Sequence, residues 1–152
     1  MTRRRTLALS LAMAAVAIGI GAGAIWWLAG RSTRIDPGDA KQVAAGEALY
    51  RAHCASCHGA NLEGQPDWRT RLPTGRLPAP PHDESGHTWH HPDEVLVRII
   101  EDGPAFYATL RVETDMPAFG QKLSDRDIAA VLAYIKSRWP ANVRDRQAHV
   151  SR

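Results

Sequence analysis

The five residues Cys54-Ala55-Ser56-Cys57-His58 constrain this chain more than anything else in it. Residues three apart on a helical turn share a face, so both thiols present to one side, with an imidazole directly after them. A thioredoxin-like redox pair of this spacing needs a surrounding βαβ pattern, and the flanks here carry helical periodicity. A zinc site needs four ligands, usually from a second paired motif, and the chain has only 2 cysteines. Cysteines this close also exclude a disulfide framework that staples distant segments. The C-x-x-C-H attachment signature for a single c-type haem fits. Each thiol adds to one vinyl group as a thioether, and His58 projects at the iron as the proximal ligand.

The N-terminus indicates export. Arg3, Arg4 and Arg5 precede an uncharged run from Thr6 to Gly30, the order of a signal segment. The run is long enough to cross ~30 Å of hydrocarbon at ~1.5 Å per residue. Trp26 and Trp27 lie at its outer end, where indoles favour the interface, and the arginines favour the cytoplasmic side. Residues 1–30 are therefore expected to be a signal-anchor on the inner membrane, with the remainder on the bacterial periplasmic side. The alternative is a signal peptide cleaved after Ala24, leaving a soluble periplasmic protein. Residues 31–39, with Pro37 and Gly38, read as a linker. The formal net charge of +3 comes from the leader: the other 16 basic residues are matched by 16 acidic ones. No nucleic-acid surface is implied.

Two amphipathic helices frame the remaining chain. Asp39 caps a helix to about Arg51, with Val43, Gly46, Glu47 and Tyr50 on one face. Ser124, with Asp125 and Asp127 behind it, opens a second helix with the apolar stripe Ile128, Val131, Leu132 and Ile135, ended by Trp139-Pro140. A third is expected over Pro92–Glu101, directing Val95, Leu96 and Ile99 inward. Residues 61–92, rich in Pro and Gly, read as loop. Residues 141–152 read as a flexible polar tail.

With the C-x-x-C-H motif and these helices in order, residues 40–140 resemble the class I c-type cytochromes. The resemblance implies an all-α cytochrome c fold, its N- and C-terminal helices crossing around one covalently bound haem c and here preceded by the N-terminal membrane or signal helix. It gives Gly46 the role of letting the last helix cross closely, with Tyr50 and Tyr134 packed beside the crossing. It also makes Thr114-Asp115-Met116-Pro117 the loop that delivers the sixth iron ligand. Of 3 methionines, Met1 and Met13 lie in the leader, so Met116 is the one methionine beyond it. Resemblance further implies that a prolyl carbonyl, Pro78 or Pro80, accepts a hydrogen bond from His58, and such bonds tune ligand basicity. Trp89 is expected to donate to the haem propionates, with Trp68, Arg69, Arg71 and Arg76 as further candidates.

One stretch departs from the family pattern. His82, Asp83, Glu84, His87, His90 and His91 crowd together. They read as polar loop residues, as a copper or zinc site built on His87 and His90, or as the source of a histidine replacing Met116 on the iron. The function expected from all this is one-electron transfer between transient redox partner proteins, by an electron-transfer protein rather than an enzyme. The alternatives are a peroxidase-like haem with an open sixth position, a haem subunit of a larger oxidoreductase, and a metal-handling module using the histidine loop.

Overall fold

Asp39 starts the first helix, α1 (Ala40–His53). Its carboxylate accepts from the backbone N–H of Lys41 at 2.9 Å and of Gln42 at 3.3 Å, satisfying two of the four donors that every helix start leaves open. A computed structural model of the protein describes residues 34–108 and 113–152. Among these, α1 is followed by α2 (Ala55–His58), a 3-10 turn (Thr88–His90), α3 (Asp93–Asp102), α4 (Pro104–Ala108), α5 (Asp125–Ser137) and α6 (Ala141–Val150), with no strand between them.

α5 opens with a reciprocal cap. Ser124 Oγ accepts from Asp127 N at 3.3 Å, and the Asp127 carboxylate accepts from Ser124 N at 3.0 Å. Hydrogen bonds from Ser124 to the charged form hold the Asp127 carboxyl below the usual range. The helix is buried from Ile128 to Lys136. It serves two apolar clusters. Val131 and Ile135 pack with Tyr50, Leu62 and Trp139, while Ile128 and Leu132 pack with Leu96, Phe119 and Leu123.

α1 crosses α5 at Gly46. A Cβ there would lie 1.9 Å from the carbonyl oxygen of Ala130 and 3.0 Å from Cβ of Tyr134. Only a residue without a side chain permits this approach. Beside the crossing, the rings of Tyr50 and Tyr134 lie 5.4 Å apart.

Two segments expected to lack structure carry some. Residues 141–152 are not a flexible tail: α6 occupies most of them and buries Val143 and Gln147, four positions apart on one face. The periodicity is faint in the sequence because half of the buried pair is an amide. Its partners come from a distant segment. Gln147 Nε2 donates to Asp93 Oδ1 at 2.6 Å and to the His91 carbonyl at 3.3 Å. The outer part of the expected linker is also anchored. Gln42 donates to the Arg34 carbonyl at 2.9 Å and accepts from Asp36 N at 2.8 Å.

The expected signal or anchor segment, residues 1–30, and linker residues 31–33 lie outside the described residues. Among the described residues no helix is long and apolar enough to cross a membrane.

Candidate functional site

The C-x-x-C-H residues occupy the junction of α1 and α2. Cys54 closes α1 by donating its N–H to the Tyr50 carbonyl at 2.8 Å, and its own carbonyl accepts from Cys57 N at 3.1 Å and His58 N at 2.9 Å. This one turn places Cys54, Cys57 and His58 on the wall of the same cavity. Cys54 is mostly enclosed, and burial, aided by the neighbouring Cys57, pushes its thiol up to about 11. It is therefore a neutral thiol at physiological pH. The two cysteines do not form a disulfide with each other, and Cys57 is exposed at the cavity edge.

His58 is buried, and its Nδ1 lies 2.8 Å from the Pro80 carbonyl oxygen. A carbonyl only accepts, so Nδ1 carries the proton and Nε2 keeps its lone pair. Burial lowers the pKa of the ring, against the opposing pull of the Pro80 bond, which keeps the imidazole in the neutral form that binds metal. Of the two prolines considered, Pro80 makes this contact. Its position is set by a paired stretch of backbone, in which Gln65 N donates to the Ala79 carbonyl at 2.9 Å and His82 N to the Leu62 carbonyl at 2.7 Å. Leu62 adopts a left-handed conformation (φ 73°) at full burial to aim that carbonyl.

His82, one of the crowded loop histidines, belongs to the site through its contact with His58. Its ring stacks on His58 with centroids 4.0 Å apart, and its Nδ1 lies 2.8 Å from Thr88 Oγ1. Burial first, then the neighbouring His58 and His87, hold it well below the ordinary histidine range, so it backs His58 as a neutral ring. The His82 carbonyl accepts from the indole N–H of Trp139 at 2.7 Å, tying the loop to the end of α5. Trp139→Phe keeps the packing but orphans a part-buried carbonyl. A loss of about 1–2 kcal/mol in denaturant unfolding is expected, and an unchanged midpoint would show that this bond is dispensable.

Met116 reaches the same cavity from the segment before α5. Phe119 N donates to the Ile100 carbonyl at 2.9 Å and Gly120 N to the Glu101 carbonyl at 3.2 Å, which pins this segment to α3. Gly103 (φ 50°) permits the close pass, since a Cβ there would lie 2.6 Å from Ala118 N. Arg76 forms an ion pair with Asp115, linking the proline-rich loop to the residue beside Met116.

The cavity has a volume of 350 Å³ and apolar walls that include Leu77, Leu96, Ile99, Ile100 and Leu132. Val95, expected to point inward, does not line it, and Ile100 does. The reason is the phase of α3, whose inner face carries Leu96, Ile99 and Ile100 at three- and four-residue spacing.

The expected propionate donors are also redistributed. Trp89 is not on the cavity wall. Its indole N–H donates to the Glu84 carbonyl at 3.3 Å and its ring stacks on His90 at 3.7 Å. Arg76 is engaged by Asp115, and Arg71 donates to the Gly75 carbonyl at 2.6 Å. Trp68 does line the cavity, as do His87 and His91, whereas His90 does not. With His90 against Trp89 and His87 stacked on Trp68 at 5.2 Å, the two imidazoles expected to share a metal face different neighbours. Among the described residues no group of three or more His, Cys, Asp or Glu side chains is placed to hold a metal ion.

An enclosed apolar cleft with two thiols on one edge, a neutral imidazole in its wall and a thioether from another segment suits a planar, hydrophobic, covalently held ring. Fold and cleft thus define an all-helical domain of the kind that carries haem c. The Cytochrome c family model matches residues 43–139. The cytochrome c6 of Picosynechococcus sp. is 33% identical over 99 residues, covering 65% of this chain and 75% of that protein. No solved structure matches the chain significantly. The chain belongs to the cytochrome c family.

Proposed function

We propose that this protein is an exported carrier of single electrons, holding one haem c with His58 and Met116 as its axial ligands. The observation that carries the reading is the convergence of Cys54, Cys57, His58 and Met116 on one apolar cavity, from two segments far apart in sequence. Membership of the cytochrome c family and the similarity to a cytochrome c6 support the electron-transfer role. The haem supplies the chemistry when bound, its iron cycling between two oxidation states one electron apart. The protein's residues do the rest. Cys54 and Cys57 fix the ring to the α1–α2 junction, and the Pro80 carbonyl orients His58 and raises its basicity. Met116 offers a soft thioether, which favours the reduced state. Leu96, Ile99 and Leu132, on the cavity wall, would keep water from the bound ring. His58 and Met116 would together hold the iron, an arrangement that suits an electron carrier. Electrons would pass at the edge beside exposed Cys57, through the small transient interfaces typical of redox encounters. Residues 6–30 would carry the domain across the inner membrane, as an anchor or as a cleaved leader.

The optical spectrum of the oxidised, haem-loaded protein tests the ligand set. A weak red-region sulfur-to-iron band is expected, and Met116→Ala should abolish it and admit carbon monoxide to the reduced form. If the native protein lacks the band and the variant changes nothing, Met116 is not the ligand.

A further inference from the structure

The arginines expected around the haem carboxylates are absent from the cavity wall. Arg71 and Arg76 are bonded elsewhere, and Arg69 lies over the face of Trp68, 4.0 Å from its centroid. The polar groups that line the cavity from residues 65–91 are Gln65, Trp68, His82, His87, Thr88 and His91, and of these His82 is bonded to Thr88. Among the described residues the Trp68 indole N–H and the ring nitrogens of His87 and His91 have no hydrogen-bond partner. The two imidazoles are nevertheless held in place. His87 stacks on Trp68 at 17° and meets His91 edge-on at 5.5 Å. The His91 backbone is fixed from both sides, its N–H donating to the Thr88 carbonyl at 3.2 Å and its carbonyl accepting from Gln147 at 3.3 Å. The carboxylates that also line the cavity, Glu113 and Asp115, stand close to Met116 in the chain, where they would repel a further carboxylate.

We propose that His87 and His91 seat the haem propionate carboxylates, and that uptake of an electron by this protein is coupled to uptake of a proton at this pair. The inference rests on the haem c reading above. Electron uptake makes the centre more negative by one charge. A neutral imidazole of the pair then takes a proton from hydronium in the solvent: an N–H bond forms at a ring nitrogen as an O–H bond of hydronium breaks, leaving water. The electron comes from a one-electron donor protein and returns to an acceptor with release of the proton. Without a carboxylate beside them both rings sit below the ordinary histidine value: burial lowers each, helped for His87 by His91, His90 and Arg69, and for His91 by His90. Carboxylates at the pair oppose that shift, because a negative charge beside a ring favours its protonated form. The other charged or titratable groups around the pair are Arg69 on the 65–77 loop, His82 and His90 on its own loop, and the Asp93–Lys136 pair joining α3 to α5. From α6 the side chain reaching this segment is the uncharged Gln147.

The sign follows from linkage. The reduced state binds the proton more tightly, so the midpoint potential is higher on the acid side and falls as pH rises. A tenfold gain in proton affinity on reduction corresponds to about 59 mV between the two limits. The test is spectroelectrochemistry of the full-length, haem-loaded chain between about pH 5 and 8.5, the span around the histidine range, on the native protein, H87Q, H91Q, the double variant and H90Q. The expected result is a falling potential in the native protein, a smaller fall in each single variant, a flat profile in the double variant and a native profile in H90Q. A flat native profile overturns the proposal, as does a slope that persists in the double variant. The red-region band, recorded on the same samples, reports the ligand reading separately. Its absence beside a slope that flattens in the double variant removes Met116 from the iron and leaves the histidine pair standing.

Discussion

Gly46→Val is expected to destabilise the native fold severely. The Cβ alone would stand 1.9 Å from the Ala130 carbonyl oxygen and 2.5 Å from its carbonyl carbon. Both obstacles are backbone in the middle of α5, so no rotamer change relieves them. The helices would have to separate along the contact that organises the domain, pulling Tyr50 from Tyr134 and opening the cluster of Tyr50, Leu62, Val131 and Trp139. Overpacking inside a core costs about 1–3 kcal/mol where neighbours yield. Here they cannot, and a loss above about 4 kcal/mol is expected, against a total stability of roughly 5–15 kcal/mol for a domain. Circular dichroism and the yield of covalently haem-loaded protein check this. A variant that unfolds at the native denaturant concentration would mean that α1 and α5 do not cross at this residue.

Lys136→Met is expected to cost about 3 kcal/mol, the lower end for breaking an enclosed ion pair. Lys136 Nζ donates to both Asp93 oxygens, at 2.8 and 2.9 Å, with the lysine side chain 9% and the aspartate 26% exposed. Removing one partner leaves the other charge uncompensated, at about 3–5 kcal/mol. The lower end applies because Asp93 keeps some water, the Gln147 amide and the α3 N-terminus. Equilibrium unfolding measures the loss. A second variant, Lys136→Met with Asp93→Asn, should recover part of it, because the stranded charge is gone. If the double variant is no more stable than the single one, lost packing of the lysine stem is the cause instead.

The aspartate of the same ion pair also joins α6 to α3 and α5. Asp93 gathers Lys136 from α5 and Gln147 from α6, and its own N–H donates to Ser151 Oγ at 3.1 Å. Gln147 is fully buried, and its Oε1 has no protein partner among the described residues. Helix α6 lies beyond the stretch that matches the cytochrome c family model, and through the His91 carbonyl it braces the loop that carries the histidine pair.

Much of this is legible from residue order, because the physics involved is local. The C-x-x-C-H turn needs only neighbours three and four apart. The Asp39 and Ser124 caps act within one turn of their helices, and the stripe on α5 reports burial through its period. Met116 stands out because no other methionine lies beyond the leader. Contacts between segments distant along the chain are not legible. Pro78 and Pro80 have the same chemistry in the sequence, and only the pairing of residues 62–65 with 79–82 places the Pro80 carbonyl 2.8 Å from His58. Trp89 is the preferred donor on paper and Trp68 a further candidate, but loop closure puts Trp68 on the cavity wall and Trp89 against His90. His82 looks like one member of a polar run, and its burial depends on Tyr50, Thr88 and Trp139 arriving from three other places. Residue order is enough to bring out the C-x-x-C-H turn, the one methionine beyond the leader and the helices that cross. Which polar side chains face the cavity is settled by packing between remote segments, and such packing leaves no period along the chain.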